Sequence, residues 1–477
     1  MWQDFAWGVA TAAYQVEGAA REGGRGPSIW DTFSHTPGRV HGGDTGDVAV
    51  DHYHRWREDV ALMSRLGVQA YRLSISWPRV QPGGRGPLNP EGVAFYRDLL
   101  DELRARGIVP VVTLYHWDLP QELEDAGGWP SRDTAYAFAD YARLMARELG
   151  DRVALWTTLN EPWCTAFLGY ASGVHAPGRT EPAAALAAAH HLNLAHGLAT
   201  LAIREELGEE TPVSISLNLH VTHPADPESG PDLAAVAQVD AVGNHIFLGP
   251  LLDGSYPTQL LRDTAHVTDW SFVHPGDLTV TRQRIDVLGI NYYSTQVVRR
   301  YQGEGVAPRA DGHGTATASP WVGTEDAVEF LPVDPPHTAM GWNIRPDALE
   351  ELLLALDNAY PDQPLMVTEN GAAFDGDVPT AEGRVHDTAR VSYLHSHIAA
   401  VLRAREAGVD LRGYLAWSFV DNFEWAYGYA KRFGIVHVDL DSQQRTPKDS
   451  ALWYRELIRT GRLPGVEEAA ALPPLDG

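Results

Sequence analysis

The chain has 477 residues, of which 44% are hydrophobic and 21% charged, a composition typical of a globular protein with a sizeable core. Its formal net charge of −26 argues against nucleic acid and anionic membrane surfaces as partners, and favours a neutral or cationic ligand. Cys164 is the one cysteine, so neither an intrachain disulfide nor a cysteine-based metal cluster can form, and we expect no metal and no cofactor. The N-terminal segment has no basic region and no long apolar core, which predicts a cytoplasmic protein without a membrane span.

Apolar runs of strand length alternate with helical patterns along the whole chain. Strands are predicted at 5–13, 68–77, 108–115, 153–160, 213–219, 286–292, 365–369 and 411–419. Helices are predicted at 51–66, 90–106, 134–149, 182–207, 233–248, 345–360, 385–407 and 447–459. Residues 294–342 are predicted to be irregular. Eight such pairs without a linker predict an α/β fold, a single (β/α)8 TIM barrel over residues 1–463 with extended βα loops, followed by a flexible tail at 464–477.

Two of the predicted strands have a carboxylate at their C-terminal end or directly after it. Glu369 follows the apolar run Leu365–Val367 and precedes Asn370-Gly371, a pair that ends the strand. Glu161 follows a similar run and precedes Pro162. A buried carboxylate costs several kcal/mol unless it is paired or used in chemistry. Glycoside hydrolysis requires a pair of carboxylates facing one sugar, so the pair points to that chemistry.

Other polar and aromatic residues lie within or beyond the predicted strands, and a barrel would bring them to one face. An arginine inside a strand, Arg72, requires a buried anion, and a carboxylate is its natural partner. A tyrosine beside such a pair can donate a hydrogen bond and keep the carboxylate ionised. The residues of this group are Gln15, Arg72, His116, Asn160, Glu161, Asn291, Tyr293, Glu369, Trp417 and Glu424.

Six motifs in this order resemble glycoside hydrolase family 1, the β-glucosidase family. They lie at 15–19, 116–120, 158–162, 291–293, 368–371 and 417–425, and the resemblance covers residues 5 to about 455. It implies that Glu161 is the general acid/base and Glu369 the nucleophile of a retaining double displacement, with Arg72 and Tyr293 favouring the charged form of Glu369.

The same resemblance implies the residues that bind the substrate. The nonreducing-end sugar would lie on Trp417, and Trp342 would be a platform for the aglycone, the group that leaves. The residues implied to hold the sugar are Gln15, His116, Asn160, Asn291, Glu424 and Trp425. Asn343 and Asp347 stand where relatives often carry glutamate, which leaves the catalytic pair untouched and the aglycone preference open.

The leading hypothesis is therefore a cytoplasmic exo-β-glucosidase, acting also on β-galactosides and β-fucosides, whose partners are small β-glucosides or cello-oligosaccharides. Oligomers are compatible with the sequence. The alternative within the family is a 6-phospho-β-glycosidase, which shares fold and catalytic pair. A sugar-binding barrel without turnover and a thioglucosidase are both disfavoured, since Glu161 and Glu369 are both present.

Overall fold

The computed structural model describes residues 5–312 and 318–475. Residues 1–4 and 313–317 of the predicted catalytic domain, and residues 476–477 of the predicted tail, lie outside the described residues. No helix in these two ranges is long and apolar enough to cross a membrane.

Eight parallel strands close into a barrel, which confirms the predicted fold. Their order around the barrel follows the chain, so each strand pairs with the next and the last pairs with the first. Nearly every strand residue is buried, as expected for strands covered by side chains inside and by helices outside. The strands are β1 (Ala6–Ala10), β2 (Ala70–Ser74), β3 (Val109–Tyr115), β4 (Leu155–Asn160), β5 (Val213–Asn218), β6 (Val287–Asn291), β7 (Leu365–Asn370) and β8 (Leu411–Trp417).

One long helix follows each strand and packs on the outside of the barrel. The helices are α1 (His52–Arg65), α2 (Pro90–Ala105), α3 (Arg132–Leu149), α4 (Pro182–Leu207), α5 (Gly230–Asp240), α6 (Pro346–Ala359), α7 (Thr388–Glu406) and α8 (Asp449–Thr460). Single-turn and other short helices lie in the loops, at Ala13–Val16, Ile29–Ser34, Trp77–Val80, Gln121–Asp125, Ile246–Leu248, Thr258–Asp263, Asp277–Thr281, His41–Gly43, Gly150–Arg152 and Trp425–Tyr427. Three segments have the wider π-helical turn, at Cys164–Ala171, Ala241–His245 and Gly249–Asp253.

The prediction of an irregular region at 294–342 was wrong in part. Thr295–Arg300 and Val328–Leu331 are antiparallel strands, and Val221–Pro224 joins them in a three-stranded sheet. A strand of four to six residues is stabilised by its partners, and these partners lie far apart in sequence. A second small sheet pairs Val436–Val438 with Arg445–Pro447.

The predicted first strand, 5–13, was too long. β1 ends at Ala10, and the chain then turns into the short helix Ala13–Val16, whose first amide donates to the hydroxyl of Ser74 at 2.7 Å. Gln15 therefore lies on a helical turn beyond the strand. The apolar run could not reveal this, because Thr11-Ala12-Ala13 suits either conformation.

Residues 464–475, within the predicted flexible tail, contain a 3-10 helix at Val466–Ala471. The guanidinium of Arg384 donates to the carbonyl of Ala469 at 3.0 Å, and the indole of Trp453 donates to the carbonyl of Pro464 at 3.1 Å. These contacts fasten this part of the tail to the barrel.

Candidate active site

The carboxyl ends of the barrel strands surround one cavity of about 600 Å³. This volume falls within the range of small-molecule sites, and the C-terminal face is where barrels of this type carry their active sites. Nine of the residues predicted from sequence line the cavity: His116, Glu161, Asn291, Tyr293, Trp342, Glu369, Trp417, Glu424 and Trp425. The remaining three, Gln15, Arg72 and Asn160, are fully buried directly behind this lining.

Glu369, near the end of β7, is held by one cation and one phenol. The Nη1 of Arg72, on β2, donates to its Oε1 at 2.6 Å, and the Tyr293 hydroxyl donates to its Oε2 at 2.8 Å. Arg72 is fully buried, so its charge is shielded little by water. This is the predicted pairing of the strand arginine with a carboxylate.

Glu161 has a different environment, because no cation among the described residues contacts it directly. The amide of Asn291 donates to its Oε1 at 2.9 Å. The thiol of Cys164, three residues later, donates to its Oε2 at 3.3 Å. Burial raises the pKa of this thiol well above its ordinary value, so Cys164 is a neutral donor. From the sequence Cys164 was identified only as the one cysteine, and its contact with the carboxylate was not predicted.

A continuous chain of hydrogen bonds joins the two carboxylates. The Nη2 of Arg72 donates to Oδ1 of Asn160 at 2.6 Å, and the same oxygen accepts from Nδ2 of Asn291 at 3.0 Å. The same Nδ2 of Asn291 also donates to Glu161, and the Oδ1 of Asn291 accepts from the hydroxyl of Thr368 at 2.7 Å. Four strands thus hold the two carboxylates in one fixed arrangement.

Their surroundings act differently on the pKa values of Glu161 and Glu369. Burial, and then the charge of Glu369, raise the pKa of Glu161 to about 8. Burial also raises the pKa of Glu369 above its ordinary value, and the charge of Arg72 and the hydrogen bonds from Arg72 and Tyr293 oppose this rise. Since Glu369 is the member of the pair that touches a guanidinium, the first negative charge settles on it and Glu161 keeps its proton.

A third carboxyl group, Glu424, lies in the loop after β8. Burial, and then the charges of Glu369 and Glu161, raise the pKa of Glu424 to about 8. The side-chain amide of Gln15 donates to its Oε2 at 3.4 Å, to Oδ1 of Asn422 at 3.1 Å and to the carbonyl of Phe423 at 2.9 Å. The short helix that carries Gln15 therefore contacts the loop that carries Glu424.

Buried polar atoms without a protein partner remain around this part of the site. The Oε1 of Gln15 and the Nδ1 of His116 are among them. Nδ2 of Asn160 lies 3.0 Å from Nε2 of His116, which leaves the hydrogen on Nδ1 when Asn160 is the donor. Burial lowers the pKa of His116 well below its ordinary value, so the ring is neutral. A ligand rich in hydroxyl groups can satisfy both atoms.

Aromatic rings form the floor of the cavity. The ring of His116 stacks on Trp417 with centroids 5.7 Å apart, and on Trp425 at 6.0 Å. Trp117 packs on Trp425 at 4.6 Å. Glu161, Trp117 and Trp425 have positive φ angles of 44°, 77° and 48°, a conformation that costs such residues about 1–3 kcal/mol each and that recurs at active sites.

Trp342 lies at the outer part of the cavity, where its ring packs on Tyr293 at 5.4 Å. Its neighbour Asn343 is buried and bonds Thr295 twice, from the Thr295 amide to Oδ1 at 3.0 Å and from Nδ2 to the hydroxyl at 2.7 Å. Asp347 pairs with Arg345 at 2.7 Å. Neither Asn343 nor Asp347 lines the cavity, so these two departures from the family pattern leave the lining unchanged.

Several lining residues were missed by the sequence reasoning. Asn218 is the last residue of β5. The search for polar residues at strand ends, which indicated Glu161, could therefore have indicated Asn218 as well. Gln296 lies in the strand Thr295–Arg300 and Asp311 in the loop beyond it, a region predicted to be irregular, and no pattern indicated them. Further lining residues that were not predicted include Cys164, Leu168, His220 and Met340.

This chain matches the profile of glycosyl hydrolase family 1 over residues 1–462. The chain belongs to glycosyl hydrolase family 1. It is 52% identical to a bifunctional β-D-glucosidase/β-D-fucosidase from Bifidobacterium breve, over 95% of this chain and 97% of that protein.

Solved family 1 structures have the same fold. The psychrophilic β-glucosidase BglU from Micrococcus antarcticus superposes with a TM-score of 0.91 at 49% identity, over 96% of this chain and 97% of that one. The family 1 β-glucosidase from Thermotoga maritima, solved in complex with isofagomine lactam, gives 0.87 at 43% identity, over 96% and 98%.

Proposed function

We propose that this family 1 enzyme is a retaining exo-β-glucosidase that removes terminal nonreducing β-D-glucosyl residues. The observation that carries the proposal is the unequal treatment of two carboxyl groups in one cavity. Glu369 is bound by Arg72 and Tyr293, and Glu161 is bound by neutral donors and has a pKa of about 8. Retaining hydrolysis requires one ionised carboxylate and one protonated carboxyl group at the start of the reaction.

In the first step an oxygen of Glu369 forms a bond to the anomeric carbon, and the bond from that carbon to the aglycone oxygen breaks. The proton of Glu161 passes to the leaving oxygen, so the aglycone departs as a neutral alcohol. The product is a glucosyl ester of Glu369, in which this side chain carries no charge.

In the second step Glu161, now ionised, takes a proton from water while the water oxygen attacks the anomeric carbon. The ester bond breaks and Glu369 recovers its negative charge beside Arg72. Two displacements at one carbon restore the original β configuration.

The inner end of the cavity would hold the glucosyl unit. Gln15 and His116 offer buried polar atoms without a protein partner, which supports their role as hydroxyl ligands. The ring of the sugar would lie on Trp417, because an apolar sugar face packs on an indole. Asn160 and Asn291, already bound to the catalytic groups, would transmit the position of the sugar to them. Glu424 and Trp425 complete the inner wall.

The name of the Bifidobacterium relative, a β-glucosidase and β-fucosidase, supports activity on β-fucosides, and we extend the proposal to β-galactosides. The cavity volume supports small β-glucosides or cello-oligosaccharides as substrates. We further propose a cytoplasmic location, supported by a single cysteine that is buried and free. An oligomer is compatible with all of this.

The alternative, a 6-phospho-β-glycosidase, needs cations for the phosphate. Lys431 and Arg432 lie near Glu424 in sequence, but both have protein partners. Lys431 donates to the carbonyl of Ala339 at 2.5 Å, and Arg432 lies 3.5 Å from Asp421. These contacts favour a neutral sugar.

A panel of nitrophenyl glycosides tests the proposal. We expect the highest kcat/KM with the β-glucoside, lower values with the β-fucoside and β-galactoside, and very low values with the 6-phosphate and with α-glycosides. A preference for the phosphorylated sugar would establish the alternative, and no turnover of any glycoside would support a binding protein.

A further inference from the structure

Lysine is rare in this chain, whose cations are otherwise all arginine, and the two lysines have distinct environments. Lys448 is fully buried and forms ion pairs with Asp377 at 2.8 Å and Asp421 at 2.9 Å. Lys431 is half-buried, and in the described part of the chain it has no carboxylate within salt-bridge distance. Its Nζ instead donates to the carbonyl of Ala339 at 2.5 Å. The ammonium group of lysine, on its flexible stem, can be directed at a single carbonyl oxygen. The planar guanidinium of arginine is better suited to partners that accept two parallel hydrogen bonds.

The backbone of Ala339 connects its own loop with the loop of Lys431 and with the segment that follows β7. Its carbonyl accepts from Lys431, and its amide donates to the carbonyl of Ala373 at 2.9 Å, four residues after Glu369. Within the same loop the amide of Thr338 donates to the carbonyl of Trp342 at 2.8 Å. The backbone of Trp342 is thereby attached to the segment that follows the nucleophile.

The segment that carries Lys431 contacts Trp342 a second time. Phe433, two residues after Lys431, packs on the ring of Trp342 with centroids 6.2 Å apart, and on Tyr293 at 6.1 Å. This segment continues the loop that holds Glu424. The ammonium of Lys431 and the ring of Phe433 therefore both connect the loop of Trp342 to the segment that continues from Glu424.

We propose that Lys431 is a positioning residue that fixes Trp342 for the aglycone and so determines aglycone preference. The proposal rests on the proposed function, since it assigns Lys431 to the leaving-group side of the same site. The ammonium touches neither sugar nor reacting atoms; it acts through Ala339 and the loop to which Trp342 belongs.

The two half-reactions separate this role from a general structural one. The aglycone is present in the first step and has left before the second. With a dinitrophenyl β-glucoside, whose aglycone leaves easily, hydrolysis of the glucosyl-enzyme limits kcat. Lys431→Met should therefore leave the kcat for the dinitrophenyl glucoside unchanged but lower kcat/KM for cellobiose by about 10-fold. The loss should be ~10²-fold at most, the cost of displacing a substrate-orienting group by about 1 Å.

Two matched variants complete the test. Arg432→Met removes the adjacent cation, which contacts His437 at 3.0 Å and does not contact Ala339, so the ratio of cellobiose to dinitrophenyl glucoside activity should stay at the wild-type value. Lys431→Arg keeps a charged donor and should restore part of the ratio. Thermal unfolding of each variant reports whether the fold is intact.

A double-mutant cycle checks that the effect passes through Trp342. Trp342→Ala should reduce cellobiose activity, and Lys431→Met in that background should reduce it no further, since the platform is already gone. Additive losses, an unchanged ratio in Lys431→Met, or an equal change in Arg432→Met would each overturn the proposal. A wild-type enzyme that hydrolyses no β-glucoside would refute the proposed function instead.

Discussion

The charge on Glu369 should control the protonation of Glu161. In the free enzyme the pKa of Glu161 is raised to about 8, first by burial and then by the charge of Glu369, so Glu161 is protonated at pH 7. The variant Glu369→Gln removes that charge and keeps the shape of the side chain. It therefore imitates the glucosyl-enzyme, in which Glu369 is an uncharged ester.

The size of the effect follows from the separation of the two groups. In retaining enzymes the catalytic carboxyl groups lie about 5–5.5 Å apart. At an effective dielectric constant of about 20, two unit charges at that distance repel by about 3 kcal/mol. Since 1.36 kcal/mol corresponds to one pH unit, the pKa of Glu161 should fall from about 8 to about 6 in Glu369→Gln. Glu161 would then be ionised at pH 7, as a base for water must be.

The titration can be followed directly by NMR of protein labelled with ¹³C at the glutamate carboxyl carbon. The Glu161 signal is assigned by its loss in Glu161→Gln, and its shift is followed from pH 5 to 9 with Glu369 intact and with Glu369→Gln. A pKa for Glu161 that is the same in both proteins would refute the electrostatic coupling. It would leave burial alone as the cause of the raised value.

Three further outcomes test the proposed roles. Proton NMR of the sugar first released from a β-glucoside should show the β-anomer, and first appearance of the α-anomer would exclude retention. Glu369→Ala should abolish turnover, whereas Glu161→Ala should lose about 10²–10⁴-fold with poor leaving groups and far less with activated ones. Azide should convert Glu161→Ala to β-glucosyl azide and Glu369→Ala to the α-product; identical behaviour would contradict the assignment. Finally, the ratio of kcat/KM for a β-glucoside to that for its 6-phosphate should rise between pH 7 and 9 as Glu424 ionises. It should approach ~10³, the factor expected when the phosphate and the Glu424 carboxylate are about 4 Å apart at a dielectric constant of ~20. A ratio that does not change with pH would contradict this role of Glu424.

The sequence predicted the barrel well because its evidence is local. Each strand is a short apolar run, each helix has its own period, and a barrel places strand exits together whatever their spacing along the chain. This reasoning alone placed Glu161, Arg72 and Glu369 at one end of the barrel, where the structure has them. The family resemblance then added Trp342 and Trp425, which do not lie at strand ends.

What could not be predicted depends on contacts between distant loops. The helical turn of Gln15 is fixed by Ser74 and by the loop around Phe423. The contact between the thiol of Cys164 and Glu161 was not predicted, since no sequence pattern shows which way a side chain on a π-helix points. The pKa of Glu424 also depends on such contacts. Its burial beside two other carboxyl groups raises this pKa, and no sequence pattern shows that burial.

The net charge of −26 and the charge of the site are therefore different quantities. Charges on the outer surface are screened over about 8 Å in physiological salt, so they act on the approach of a ligand more than on its binding inside the cavity. Around the glucosyl unit the guanidinium of Arg72 offsets the charge of Glu369, and the raised pKa values of Glu161 and Glu424 keep these two carboxyl groups protonated near pH 7. The site that meets the sugar is thus close to neutral. A neutral site selects a neutral ligand, because burying an uncompensated charge in it would cost several kcal/mol.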